Sequence, residues 1–224
     1  MTGLTQGPER AAELLADQAH QALVARLRDG SLSSGMFLSI PMLVQRLNRP
    51  ISAVRDAVKR AEACGLVKVL PKRGVMIMEA GAETTRECLE LRAVFDCEGA
   101  RRLILNSGEI PLAALKEEHD ILLEDAHTRL SPDLPRRAIE TDLSLHDALS
   151  TGLGSKLALR LYGENRNRIA VIQNTRPFLA DRIVSSMEEH LRIIAALQAR
   201  DAEAAFVAIR DHLQHTLRWW GVGA

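Results

Sequence analysis

Apolar residues recur at helical spacing along most of this chain, and the breaks between periodic stretches divide it. Leu15, Ala19, Ala22, Leu23 and Leu27 predict a first helix from about Glu9 to Arg28. Asp29-Gly30-Ser31 and Ser33-Ser34-Gly35 then read as turns. Pro41 suits the first turn of a second helix, Met42 to Leu47, which Asn48-Arg49-Pro50 breaks. A third helix turns Val54, Ala57, Val58 and Ala61 inward and ends at Gly65. The pattern then changes. Leu66 to Leu70 and Val75 to Met78 are short β runs around Pro71-Lys72-Arg73-Gly74, which predicts a hairpin with two cations at its tip. Helix, helix-turn-helix and hairpin in succession give a winged helix-turn-helix pattern.

From about Ala82 onward no strand signal recurs. Six helices are predicted, near 83–106, 111–129, 134–150, 155–174, 178–199 and 201–218. Breaks fall at Ser107-Gly108, Ser131-Pro132, Gly152–Gly154, Pro177 and Arg200-Asp201. Asp201 suits an N-cap, with Glu203 supporting the first turn. The expected fold is mainly α. A winged helix-turn-helix of three helices plus a β-hairpin spans 1–80, and an all-α six-helix bundle spans 81–224.

Composition agrees with helices. The chain has 224 residues, 46% hydrophobic but only 3% aromatic, with Ala and Leu dominant. A sandwich or barrel would want more β-branched and aromatic residues. No apolar run approaches the roughly 20 residues of a membrane span, so no membrane partner is expected. The stretch Met1 to Arg10 is polar and lacks the apolar core of a signal peptide. Cys64, Cys88 and Cys97 are odd in number, lack metal-ligand spacing and read as small core fillers. A reduced, cytoplasmic protein follows as the expectation.

Charge changes the picture slightly. The 29 Lys+Arg balance 29 Asp+Glu over the whole chain. Yet residues 26–73 hold 10 Lys+Arg against 3 Asp+Glu, and residues 81–224 hold 18 against 22. Either this is chance fluctuation, or only the first third meets a polyanion.

The candidate chemistry lies on the inward stripes of the bundle. Ala138, Leu145 and Leu149 share a face with Asp142 and His146, four residues apart. His190 falls on the stripe of Ile183, Met187, Leu191 and Ile194, and His212 on that of Ala205, Ala208, Ile209 and Thr216. A buried carboxylate is expensive unless paired or metal-bound. Any one such histidine would read as a satisfied core residue. One Asp and three His aimed at one core instead suit a divalent transition metal, zinc or nickel first among them. On the first bundle helix, Arg92 shares the stripe of Cys88, Leu91, Phe95, Gly99 and Leu103. It is either an ion-pair partner inside the bundle, for example of Asp142, or a guanidinium that binds an anionic effector. His20, His119, His127 and His215 have no such support and are expected in solvent. Glu189 and Asp211 adjoin ligand positions and are expected to face away, and Trp219-Trp220 to be core or interface.

These residues resemble a known family. The stretch LRDGSLSSGMFLSIPMLVQRLNRPISAVRDAVKRAEACGLVKVLPKRGV, within 22–78, resembles the winged helix-turn-helix of GntR-type bacterial transcription regulators. LRAVFDCEGARRL, DLSLH, EEHLRIIAAL and DAEAAFVAIRDHL, within 83–218, resemble the FCD ligand-binding domain, in the shorter VanR-type branch. The resemblance maps the family's metal-binding Asp and three His onto Asp142, His146, His190 and His212, and its effector-cavity arginine onto Arg92. At the recognition helix the chain departs from the family. Where members show Ser-Arg-Thr-Pro-Val-Arg, this chain has Pro50-Ile51-Ser52-Ala53-Val54-Arg55, and Pro41 replaces an arginine of the preceding helix.

The resemblance implies a ligand-responsive transcription regulator and not an enzyme: a homodimer that binds a double-stranded DNA operator and takes a small carboxylate effector. Ser52, Arg55 and Lys59 would face the groove, while Lys72, Arg73 and Gly74 at the wing tip would contact the backbone or minor groove. A metal-dependent enzyme built on the bundle is the rival reading, although no H-E-x-x-H or H-x-x-E-H motif is present. A sensing dimer that has lost DNA binding is another, motivated by Ile51 and Pro41.

Overall fold

The computed structural model of the chain describes residues 6–106, 110–128 and 131–223. It divides into two compact units, Met1–Ala80 with Asn167–Thr175, and Gly81–Arg166 with Arg176–Ala224. The architecture is mainly helical with one small antiparallel sheet, as the periodicity predicts.

The first unit runs α1 (Gln6–Arg28), β1 (Phe37–Leu38), α2 (Ile40–Leu47), α3 (Ile51–Ala63), β2 (Val67–Leu70) and β3 (Gly74–Ile77). Helix α1 turns Ala16, Ala19, Leu23 and Leu27 into the core. Leu15, expected on that stripe, is 39% exposed, because the buried face is carried by its neighbour Ala16. Helix α2 starts where the Ser39 hydroxyl accepts from the Met42 N–H, and ends where Asn48 adopts φ 49°. The turn into α3 is therefore tight, and Val54, Ala57, Val58 and Ala61 all pack inward.

The sheet order is β1-β3-β2. Strand β1 was not legible beforehand, because two residues cannot display a period of two. It pairs Phe37 with Met76 and Leu38 with Val75. Gly74 permits that pairing: a Cβ there would lie 2.4 Å from the Leu38 carbonyl oxygen, and its φ is +134°. The later turns of α7 (Lys156–Gln173) belong to this unit from Asn167 on. Arg168 donates twice to the Cys64 carbonyl at 2.9 and 2.8 Å, and the Asn174 amide donates to the Leu27 and Arg28 carbonyls.

The second unit contains α4 (Ala82–Leu105), α5 (Leu112–Thr128), α6 (Leu134–Ser150), the first turns of α7, α8 (Ala180–Gln198) and α9 (Ala202–Trp220). A short 3-10 turn, Thr151–Leu153, follows α6 and had no sequence signal. The expected break at Ser107-Gly108 and the last residue of the helix predicted to end at 129 lie outside the described residues, as does part of the Met1 to Arg10 stretch. Leu145, Leu149, Ile193, Ile194, Ile209 and Leu213 form the centre of the core. Helix α8 packs between α5 and α9, and α4 packs against α6 and α9. Leu91, expected inward on α4, is 40% exposed; the buried stripe passes through Cys88, Arg92, Phe95, Asp96 and Gly99. A Cβ on Gly99 would lie 2.1 Å from the Leu149 carbonyl oxygen, so only glycine lets α4 come this close to the end of α6. Trp219 and Trp220 are half-buried and pack against the core.

Candidate metal centre

Five helices of the bundle deliver one or two polar side chains each to the same place. Helix α4 supplies Arg92 and Asp96, α5 His119, α6 Asp142 and His146, α8 Glu189 and His190, and α9 His212. All are buried, and His119 and His190 have no exposed surface. Asp142, His146, His190 and His212 bring one donor atom each within 4.8 Å of one another. The i, i+4 spacing on α6 accounts for the first two, and the packing of α8 against α9 brings the other two to them.

The histidines are held from behind. His146 Nδ1 lies 2.8 Å from an Asp96 carboxylate oxygen, and His212 Nδ1 lies 2.7 Å from Glu189 Oε2. A carboxylate only accepts, so both Nδ1 atoms carry the hydrogen and both Nε2 lone pairs face the centre. His190 Nδ1 meets His119 Nε2 at 3.1 Å. His146 Nε2 is buried with no hydrogen-bond partner among the described residues. A buried acceptor of this kind, backed by a carboxylate at the other ring nitrogen, suits a metal ligand.

Arg92 reaches into the same centre. It donates to Asp142 Oδ2 at 3.3 Å and approaches His212 Nε2 at 3.2 Å. Arginine only donates, so His212 Nε2 accepts, in agreement with its Nδ1 donating to Glu189. Arg92 thus makes the ion pair with Asp142 that its stripe position allowed.

Electrostatics favour the neutral form of His119, His190 and His212. Burial pushes His190 well below the usual imidazole range, and the surrounding imidazoles and Arg92 push the same way. Burial brings His212 down to about 4 although its bond to Glu189 opposes this, and burial also lowers His119. Burial alone would raise Glu189, yet the bonds from His212 and Arg182 hold it below the ordinary carboxylate range.

Two of these residues run against the sequence expectation. His119, expected in solvent, is fully buried. Glu189, expected to face away, is 3% exposed and bonds His212, Arg182 and, at 3.0 Å, His215. Helix α8 is flanked on two sides, so its buried arc is wider than one stripe and includes both Glu189 and its neighbour His190. Asp96 was passed over, although it sits four residues after Arg92 on a buried face. His20 is half-buried and its Nδ1 approaches the Ala57 carbonyl, whereas His127 is exposed.

Comparison with known proteins then places the chain. The FCD domain matches residues 87–215, more than half of its length. The chain belongs to the FCD family of GntR-type regulators. The FCD match covers every residue of the centre just described. The regulator is similar to the uncharacterized HTH-type transcriptional regulator BphR of Paraburkholderia xenovorans (strain LB400), at 26% identity over 91% of this chain and 84% of that one. It is also similar to the HTH-type transcriptional repressor RspR of Escherichia coli (strain K12), at 24% identity over 82% and 78%. Among solved structures, a putative GntR regulator from Rhodococcus sp. RHA1 superposes with TM-score 0.72 at 21% identity, covering 93% of this chain and 99% of that one. E. coli McbR/YncC superposes with TM-score 0.71 at 20% identity, covering 92% and 96%. Such structures establish the shared fold, and the relatives' names point away from an enzymatic role. Among the described residues of this FCD regulator, no helix is long and apolar enough to cross a membrane.

In the N-terminal unit, Ser52, Arg55 and Lys59 share the exposed face of α3. Lys72 and Arg73 are exposed in the hairpin turn and Gly74 is half-buried. Ile51, where the family carries arginine, is 50% exposed on that same face.

Proposed function

We propose that this FCD regulator is a homodimeric, sequence-specific DNA-binding protein, controlled by a divalent metal and a small carboxylic acid held in its bundle. Residues 81–224 act as the sensor and residues 1–80 as the DNA-binding domain. Asp142, His146, His190 and His212 hold the ion, of the kind that imidazole and carboxylate donors suit, such as zinc or nickel. The observation that carries this reading is the convergence of bare Nε2 atoms, each histidine held from behind at Nδ1 and one without a hydrogen-bond partner among the described residues.

Charge supports the ligand class. The charged side chains buried among the described residues are Arg92, Asp96, Asp142, Arg182 and Glu189. Imidazoles aside, two guanidinia against three carboxylates leave one uncompensated negative charge. A bound divalent ion would turn that into one positive charge and offer a Lewis-acidic position to an oxygen ligand. A monocarboxylate then brings the core to neutrality, which burial favours. His212 Nε2 cannot bond Arg92 and an ion at once, so loading frees a guanidinium N–H for that carboxylate.

On the DNA side, Ser52, Arg55 and Lys59 read the major groove, and Lys72, Arg73 and Gly74 meet the backbone or minor groove. Two-fold protein symmetry calls for two half-sites in the operator. Titration calorimetry of zinc-loaded full-length protein with a panel of small carboxylates, with and without operator DNA, tests the reading. An acid should bind, and bind less tightly to Arg92→Ala. It should change operator affinity by roughly 5–150-fold, the range of a typical coupling. Absence of salt-dependent DNA binding altogether would favour a sensor that no longer binds DNA.

A further inference from the structure

Asp96 and Glu189 are carboxylates, and each accepts from the Nδ1 of one histidine in the cluster. His190 has no carboxylate behind it. Its Nδ1 meets another imidazole, His119, at 3.1 Å. His119 is itself tied down: its Nδ1 lies 2.6 Å from the Leu115 carbonyl oxygen, one helical turn earlier. A carbonyl can only accept, so His119 Nδ1 carries a hydrogen. In a neutral imidazole that leaves Nε2 bare, and a bare Nε2 must accept from His190 Nδ1. His190 Nε2 is then bare in its turn. The hydrogen positions of both rings therefore follow from one backbone carbonyl.

The forward side of His190 completes the argument. Its Nε2 lies 3.4 Å from His212 Nε2 and 3.5 Å from Asp142 Oδ1. His212 Nε2 accepts from Arg92, and Asp142 is a carboxylate, so neither supplies a proton toward His190. Arg92 donates to His212 Nε2 and to Asp142 Oδ2, while His190 Nε2 is left with a bare lone pair beside them, a donor that a divalent cation suits.

We propose that His119 is a positioning residue for the metal: with the Leu115 carbonyl it sets the tautomer of His190 and aims its Nε2 at the ion. It does for His190 what Asp96 does for His146 and Glu189 for His212. This inference rests on the metal reading above. The difference in chemistry has a consequence. A carboxylate in place of His119 would add a second uncompensated negative charge to the buried centre, whereas the imidazole accepts the bond and adds none. Outer partners of this kind are typically worth about 10–100-fold in metal affinity.

Two measurements on the full-length chain test it. The first needs no substitution. Long-range 1H–15N correlation spectra of the metal-free protein should show His119 and His190 as Nδ1–H tautomers. His190 as the Nε2–H tautomer would overturn the proposal. The second is zinc affinity by competition with a chromophoric chelator. His119→Leu should bind zinc about 10–100-fold more weakly than the unaltered protein. His119→Gln, whose amide oxygen can accept from His190 Nδ1, should recover most of that loss. Equal zinc affinity in the unaltered and His119→Leu proteins would overturn the role of His119 while leaving the metal site intact. Unaltered protein that binds no zinc or nickel would instead overturn the metal reading, and this inference with it.

Discussion

Single side chains decide what the bundle core can hold. Arg92 is buried, pairs with Asp142 and reaches His212, whose Nε2 it would give up to a bound ion, leaving an N–H free for a carboxylate ligand. Replacing it with alanine should weaken carboxylate binding, measured by calorimetry, while elemental analysis shows the metal retained, because Arg92 is not a ligand. A thiol on the same helix reports the local field. Burial, helped by Asp96, pushes Cys97 up to about 11 from 9.0. The raised value keeps Cys97 protonated at neutral pH, with roughly a hundredth of the thiolate of an ordinary thiol. Its alkylation by iodoacetamide should therefore be slow at pH 7.5, and should still be rising above pH 9, where an unperturbed thiol levels off. Mass spectrometry of timed samples reads both; rapid labelling at pH 7.5 would contradict the burial.

At the scale of elements, the helices were legible because their apolar spacing is regular and their ends carry Pro41, Gly65, Asp201 and other Pro or Gly breaks. The cluster of Asp142, His146, His190 and His212 was legible for the same reason, since each sits on an otherwise apolar stripe. His119 carried that signal too, falling in step with Leu115, Leu122 and Ala126, but a lone histidine does not reveal which partner awaits it. Glu189 was hidden because no single stripe describes a helix packed on two sides. Close approach was hidden as well. Gly99 reads as an ordinary small residue until α6 is in place. Gly99→Ala should destabilise the protein by about 1–3 kcal/mol in denaturant unfolding, because the clash is with backbone that cannot rotate away. On α3, Arg55→Ala should weaken operator binding by about 1–3 kcal/mol if its contact to a base is bidentate. Ile51→Arg should raise affinity for all DNA and steepen the salt dependence by about one phosphate contact. A salt titration of binding separates the two effects.

Over the whole molecule, the proposed metal would link folding to sensing. The candidate ligands come from α6, α8 and α9, so a bound ion would tie together helices far apart in sequence. An ion held at about a hundred times its dissociation constant adds about 2.7 kcal/mol to stability. Chelation should then lower the melting temperature by about 5–10 °C. The same centre is expected to couple acid binding to operator binding, and by linkage DNA must change the affinity for the acid by the factor that the acid changes the affinity for DNA.

The most direct test is the metal content of the full-length protein purified without chelator. Elemental analysis should find about one divalent transition-metal ion per chain, falling to a trace when His146→Ala and His190→Ala are combined. Folded protein that carries no such ion and takes up neither zinc nor nickel on dialysis, or a double variant that keeps full occupancy, would contradict the account.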